Sequence, residues 1–74
     1  MDIENLVEVN PRKLSGTPVF SGTRVPIKNL FDYLEEGDGL DVFLDDFPTV
    51  TREQAVAALE IAREALEESA HSSR

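Results

Sequence analysis

Apolar side chains recur at helical spacing through the second half of the chain and predict three helices. The first predicted helix, Ile27 to Glu36, has apolar residues at its first, fourth, fifth and eighth positions, which lie on one face. The second, Leu40 to Phe47, repeats that spacing and ends before Pro48, because proline restricts the residue that precedes it. The third runs from Arg52 to Glu68. Together with one strand residue, these stripes predict a core of Val19, Leu30, Phe31, Leu34, Leu40, Phe43, Leu44, Phe47, Leu59, Ala62 and Leu66.

Local signals at the helix ends support these boundaries. Gly37 suits the left-handed position that follows many helices. Thr51 and Gln54 have the spacing of a capping box, in which each side chain accepts a hydrogen bond from the backbone N–H of the other residue. Val50 and Ala55 are spaced for the hydrophobic staple that accompanies such a cap. The short turn between the second and third helices is typical of a helix-turn-helix.

The N-terminal part of the chain lacks helical spacing and predicts short strands. Leu6–Val9 is a predicted strand that an Asn-Pro pair ends. Between Gly16 and Pro26, residues that favour strands flank a turn, which predicts a hairpin of Pro18–Phe20 against Arg24–Ile27. Gly22 is expected to adopt a positive φ in this turn.

The 74 residues are predicted to form one domain, α+β by content and mainly α. A β segment occupies residues 1–27, a three-helix, helix-turn-helix unit occupies 27–68, and the small polar residues 69–74 form a disordered tail. A domain of this size buries only about 60% of its unfolded surface, so a monomer is marginally stable. We therefore expect a homodimer with Leu6–Val9 and Val19–Ile27 at its interface, since short strands have free edges.

The charge of the chain is unevenly distributed. The formal net charge is −8; residues 1–28 carry four bases and three acids, and residues 29–74 carry three bases and twelve acids. DNA affinity comes largely from neutralising phosphates, so this balance argues against strong DNA binding by the free protein. The chain has no cysteine, no apolar run long enough to span a bilayer and no apolar leader, so we expect a soluble cytoplasmic protein.

No arrangement of residues in the sequence predicts catalysis, a metal or a cofactor. The Gly16–Thr23 stretch has the wrong glycine spacing for a phosphate-binding loop and lacks its lysine. The acidic run from Glu36 to Asp41 lacks the ligand spacing of a calcium loop. The single histidine, His71, has no nucleophile or paired acid near it in the sequence. We therefore do not expect an enzyme.

Two surfaces are candidates for binding. In a helix-turn-helix the N-terminus of the second helix reads DNA, so the polar residues at the start of the third predicted helix and the basic residues of the N-terminal half are candidates for DNA contact: Arg12, Lys13, Arg24, Lys28, Thr49, Thr51, Arg52 and Gln54. The alternatives are plain three-helix packing without DNA and, for Arg24, a structural role. The outer face of that helix is acidic, and its candidates for protein contact are Val56, Glu60, Ile61, Arg63, Glu64 and Glu67. The alternative there is a solvated surface that aids solubility.

The stretch Gly-Thr-Pro-Val-Phe-Ser-Gly-Thr-Arg-Val-Pro, residues 16–26, resembles the hallmark of the domain-of-unknown-function 433 family. The resemblance continues through Asp46-Phe47-Pro48 and residues 51–55 and covers roughly Val7 to Ala65. It implies a homeodomain-like helix-turn-helix fold and a VapB-type, antitoxin-like protein. Such a protein binds and neutralises a PIN-like ribonuclease toxin encoded beside it, with repression of its own operon as a second role. The acidic helix would dock on the basic rim of the nuclease, with Arg63 reaching its metal-binding carboxylates.

Two other functions stay open at this point. One is a stand-alone DNA-binding regulator, and the other is an oligomerisation module without a toxin partner. An adjacent reading frame that encodes a small PIN-like protein would favour the antitoxin.

Overall fold

The computed structural model describes residues 1–72 of the chain, which contain four helices and two short strands. In chain order they are α1 (Ile3–Leu6), β1 (Val7–Glu8), β2 (Val19–Phe20), α2 (Ile27–Glu35), α3 (Leu40–Asp46) and α4 (Arg52–Ser72), with a single 3-10 turn at Leu14–Gly16. The fold is mainly α with a small N-terminal sheet, as the sequence predicts.

The two strands form an antiparallel ladder. Val7 lies opposite Phe20 and Glu8 lies opposite Val19. The predicted partner of β2, Arg24–Ile27, is not a strand. It contributes a single bridge between Val19 and Pro26, because Pro26 has no N–H to donate and Ile27 already begins α2.

The hairpin turn itself forms as predicted. The Phe20 N–H donates to the Val25 carbonyl over 2.9 Å, and the Ile27 N–H donates to the Pro18 carbonyl over 3.1 Å. Gly22 has φ +77°, the left-handed value that the turn requires. The hydrogen bonds of the hairpin therefore exist, although one of its two arms lacks strand geometry.

The predicted strand Leu6–Val9 is wrong at both ends. Leu6 belongs to α1, where its N–H donates to the Asp2 carbonyl over 3.0 Å and its side chain is buried in the core. Val9 lies outside the ladder and is exposed. A single four-residue turn of helix has too few positions to show apolar periodicity, which is why the sequence gives no sign of α1.

Phe43 of α3 lies at the centre of the core and is fully buried. Its ring centroid is 6.2 Å from that of Phe20, 5.5 Å from that of Tyr33 and 5.1 Å from that of Phe47. The Tyr33 hydroxyl donates a 2.6 Å hydrogen bond to Asp46 Oδ2, which is the main cause of a raised pKa for Tyr33. This bond links the end of α3 to α2 and gives Asp46 a role in the corner before Pro48.

Part of the predicted core is confirmed. Val19, Leu30 and Phe43 are fully buried, and a second group is partly buried against them: Phe31, Leu34, Leu40, Leu44, Phe47 and Leu59. The prediction that Leu66 lies in the core is wrong, because Leu66 is 72% exposed. Seven buried apolar residues were absent from the predicted set: Leu6, Phe20, Val25, Val50, Ala55, Ala57 and Ala58.

The helix ends follow their local signals. Gly37 has φ +90° directly after the C-cap of α2. At the start of α4 the Gln54 N–H donates to Thr51 Oγ1 and the Thr51 N–H donates to Gln54 Oε1, both over 3.0 Å, so the capping box is confirmed.

α4 continues to Ser72, past its predicted end at Glu68. Residues 69–72 are therefore helical where a disordered tail was predicted, and residues 73–74 of that tail lie outside the described residues. The 21 residues of α4 span about 31 Å at the helical rise. Residues 63–71 are exposed, so the C-terminal part of α4 projects from the body of the protein. The Cα radius of gyration, 13.1 Å, accordingly exceeds the value of about 11 Å typical of a compact chain of this length.

Candidate functional site

The turn after β2 is held in place by its own threonine. Thr23 is buried; its hydroxyl donates to the Phe20 carbonyl over 2.8 Å and accepts the Val25 N–H over 3.0 Å. With the positive φ of Gly22, these two bonds fix the path of the chain from β2 to α2. The neighbouring Arg24 side chain is left exposed on the outside of the turn.

Glu8 of β1 binds the same turn from the other strand. Its Oε1 accepts the Gly22 N–H over 3.1 Å and a Lys13 Nζ bond over 3.2 Å. Lys13 Nζ also lies 3.1 Å from Glu8 Oε2 and donates to the Thr23 carbonyl over 3.4 Å. The Gly22 N–H, and then Lys13, lower the pKa of Glu8 below its ordinary value. This role of Glu8 was not predicted from the sequence. Its only signal there is an acid inside a predicted strand, a few residues before the adjacent bases Arg12 and Lys13.

Gln54 joins the start of α4 to the turn. While its Oε1 completes the capping box, its Nε2 donates to the Ser21 carbonyl over 3.1 Å. Both ends of this predicted DNA-contact residue are therefore engaged within the protein. Thr51 is likewise the helix cap, although its side chain remains exposed.

Three of the predicted DNA-contact residues share one open depression of about 410 Å³: Lys13, Arg24 and Thr49. Lys28 does not line this depression and pairs with Asp32 over 2.6 Å, which raises the pKa of the Lys28 ammonium. Arg52 pairs with Asp41 of α3. Within residues 1–72, Arg12 and Arg24 are the two basic side chains without an ion pair. Of the two basic residues in the depression, Lys13 is paired with Glu8, and Arg24 has no ion pair within the described residues.

One side of α4 is acidic. Val56, Glu60, Arg63, Glu64 and Glu67 lie on one side of α4 at spacings of three, four, seven and eleven residues, and all are exposed. Arg63 Nη1 lies 3.4 Å from Glu67 Oε1, a surface pair of the kind that contributes little to stability.

The position of Ile61 differs from the one expected of an exposed partner-binding residue. Its side chain is partly buried and packs against the core cluster, so it is not an exposed anchor beside the glutamates. The large hydrophobic side chains that α4 exposes within the described residues are Val56, at 38%, and Leu66, at 72%.

The predicted homodimer interface also needs correction. Leu6, Val19, Phe20 and Val25 all lie in those two segments, and all four are buried within one chain. They are not available to a second copy, whereas Val9 is exposed. Whether the protein forms a homodimer stays a prediction, but these buried residues cannot make its contacts.

No helix within residues 1–72 combines the length and apolar character needed to cross a membrane. In that same range, no three His, Cys, Asp or Glu side chains are grouped as metal ligands would be.

Comparison with known proteins identifies the family. Residues 7–62 match the family described as "Protein of unknown function (DUF433)". No curated protein matches the chain. Among solved structures, the chain is similar to the crystal structure of a DUF433 member protein from Anabaena variabilis, with 24% sequence identity and a TM-score of 0.69. The match covers 89% of this chain and 65% of that chain, so this chain spans less than two thirds of the length of that protein. Because the family match takes in well over half of its residues, including the whole turn from Gly16 to Pro26, this chain belongs to the DUF433 family.

Proposed function

We propose that this chain is an antitoxin-like protein of the VapB type, which acts in the cytoplasm by binding and neutralising a PIN-like ribonuclease. The observation that carries the proposal is the acidic side of α4, on which Glu60, Glu64 and Glu67 are all exposed, the last two in the part that projects from the body. The proposal assigns no reaction to the chain itself.

Electrostatics favour a nuclease as the partner. A ribonuclease must approach RNA phosphates, so the rim of its active site should be basic. An acidic helix can occupy that rim in place of RNA, and complementary charge of this kind mainly speeds association and sets specificity. Arg63 pairs only weakly with Glu67 at 3.4 Å and can exchange this partner for the metal-binding carboxylates of the nuclease.

The apolar anchors of this interface differ from those that the sequence predicts. Ile61 is partly buried, so the proposal no longer uses it as an exposed anchor. Val56 keeps its proposed role, since it is exposed one turn before Glu60 on the acidic side. A few apolar anchors surrounded by charge are typical of protein interfaces.

A second role, repression of its own operon, is supported by the depression that Lys13, Arg24 and Thr49 share. Arg12 and Arg24 are free of ion pairs within the described residues and are available for phosphates. The acids of α4 oppose DNA binding while they are bare. We therefore propose weak DNA affinity for the free protein and higher affinity once the partner covers α4.

Neutralisation of the nuclease tests the proposed function. The protein encoded in the adjacent reading frame is purified, and its cleavage of RNA is measured with increasing amounts of this chain. The wild type should inhibit at equimolar amounts, and the triple reversal Glu60→Lys, Glu64→Lys and Glu67→Lys should not. The matched control is Glu35→Lys, Glu36→Lys and Asp38→Lys, which changes the net charge equally on exposed residues at the end of α2. Inhibition by the first variant at wild-type potency would refute the proposal.

A further inference from the structure

An uncovered apolar groove lies where α1, α2 and α4 meet. Ile3 of α1, Ile27 and Phe31 of α2, and Ile61 and Ala62 of α4 line it, and all of its lining side chains are apolar. Its volume is about 220 Å³. Ile3 is 59% exposed at the groove, although its neighbour Leu6 is fully buried beneath.

The bank of the groove between α1 and α4 is acidic. An adjoining depression of about 460 Å³ shares Ile3 and Ile61 with the groove and is otherwise lined mainly by carboxylates. Two acids come from the N-terminal segment and two from α4: Asp2, Glu4, Glu64 and Glu68. The sequence did not predict this grouping, because it arises only when α1 folds against α4.

We propose that this groove binds a basic amphipathic helix of a protein partner. Apolar side chains spaced one turn apart on that helix would fill the groove over Phe31 and Ile61, and its Lys and Arg residues would lie along the acidic bank. This is the arrangement by which amphipathic helices bind apolar grooves. The inference deepens the proposed function and rests on it for the identity of the partner as a protein, naming the segment that such a partner must supply.

A second copy of this chain is a poorer occupant than a basic helix. Each copy carries a net charge of −8, and α4, the longest amphipathic element, bears glutamates beside its apolar stripe. Two such surfaces would bring like charges together, which disfavours association.

A synthetic peptide provides the direct test. The probe is a labelled peptide of about 14 residues, four helical turns, with Leu at helical spacing and Lys elsewhere. A scrambled peptide of the same composition has the same charge but no apolar face. Fluorescence anisotropy with the full chain should show the amphipathic peptide binding at least roughly tenfold more tightly than the scrambled one. Equal affinities would reduce the binding to bulk charge attraction and overturn the proposal.

Substitutions locate the site. Ala62→Gln fills the groove with a residue that favours helix, and it should weaken peptide binding roughly tenfold. Ile3→Ser removes an exposed wall and should weaken binding about threefold, which keeps the test valid if Ala62→Gln lowers stability. Glu64→Lys with Glu68→Lys should also weaken binding, whereas Glu35→Lys with Glu36→Lys should leave it unchanged. Unchanged affinity in a folded Ala62→Gln or Ile3→Ser variant overturns the proposal.

Two further outcomes separate the possible occupants. If sedimentation shows a dimer that Ala62→Gln dissociates, the groove is an interface between copies and the basic-helix proposal fails. If reversal of Glu60, Glu64 and Glu67 abolishes neutralisation of the nuclease while Ala62→Gln does not, the proposed function stands and the groove proposal falls. If no PIN-like nuclease binds but the peptide binds with the expected dependence on Ala62, the groove proposal stands and the proposed function fails.

Discussion

The Gln54 side chain connects the first turn of α4 to the turn after β2: its Nε2 donates to the Ser21 carbonyl over 3.1 Å while its Oε1 accepts the Thr51 N–H. One side chain thus closes the capping box and joins the start of α4 to the turn after β2. The turn, with exposed Arg24, and the N-terminus of α4 are therefore joined directly.

Two substitutions at position 54 separate the contributions of these two hydrogen bonds to stability. Gln54→Glu keeps the acceptor of the capping box but loses the donor to Ser21, and should lower the free energy of unfolding by about 1 kcal/mol. Gln54→Ala also loses the acceptor for the Thr51 N–H, while the backbone N–H of residue 54 still donates to Thr51 Oγ1, and should cost about 1 kcal/mol more. Urea unfolding followed by circular dichroism measures both. Equal stabilities of the two variants would show that the bond to Ser21 carries the whole effect.

Their different burial predicts that alanine substitution costs more stability at Phe43 of α3 than at Phe47, the C-cap of that helix. Phe43 is fully buried among three aromatic rings, so Phe43→Ala should cost about 3–5 kcal/mol. That is comparable with the whole stability expected of a domain of this size, and cooperative melting should be lost. Phe47 was predicted to be a full core residue but is only partly buried, so Phe47→Ala should cost less and leave a cooperative transition. A larger loss from Phe47→Ala, measured by thermal denaturation, would contradict this ranking.

Glu8 should make part of the stability depend on pH. The Gly22 N–H and Lys13 lower its pKa below the ordinary value of 4.5, so the ionised carboxylate stabilises the folded state above that pH. This contribution is lost as the pH falls below 4.5 through the lowered pKa. Glu8→Gln should therefore reduce the Tm at neutral pH, and the difference from wild type should shrink in acid.

Glu60→Gln is the matched control for that experiment, since Glu60 is exposed and has no hydrogen bond or ion pair to the rest of residues 1–72. Its Tm should follow that of the wild type across the titration. A Glu8→Gln difference that is the same at neutral and acid pH would show that the charge of Glu8 contributes nothing.

DNA binding should depend on the partner and on Arg24. We expect weak binding of the operator duplex by the free protein at physiological salt and tighter binding by the complex with the nuclease. Arg24→Ala should weaken DNA binding by the complex with the nuclease. It should also reduce the salt dependence of the DNA affinity by about one phosphate contact, whereas Arg63→Ala on α4 should leave that salt dependence unchanged. Tight operator binding by the free chain, measured by fluorescence anisotropy, would favour a stand-alone regulator instead.

The helical half of the fold could be predicted because its signals are local. The apolar spacing around Leu30 and Phe43, the left-handed Gly37 and the Thr51–Gln54 cap depend on residues a few positions apart. The strand pairing could not, since β2 pairs with β1 across an intervening loop and its closer candidate, Arg24–Ile27, is interrupted by Pro26.

Periodicity also misassigned two side chains of α4. It placed Leu66 in the core, but the body of the protein ends before that turn, so a residue on the correct face has nothing to pack against. It placed Ile61 outside the core, but α1, which the sequence does not reveal, packs against α4 at that side chain. Both errors arise from tertiary structure, and the second removes Ile61 from the exposed anchors of the candidate site.

The central claim, that the acidic side of α4 binds the partner, is tested most directly by the association rate constant with the PIN-like nuclease in stopped-flow measurements. The variant with Glu60→Lys, Glu64→Lys and Glu67→Lys should associate at least roughly tenfold more slowly than the wild type at low salt, and the difference should narrow as salt rises. The control with Glu35→Lys, Glu36→Lys and Asp38→Lys should stay within about twofold of the wild type. Equal rate constants for the two variants, with both folded, would contradict the claim.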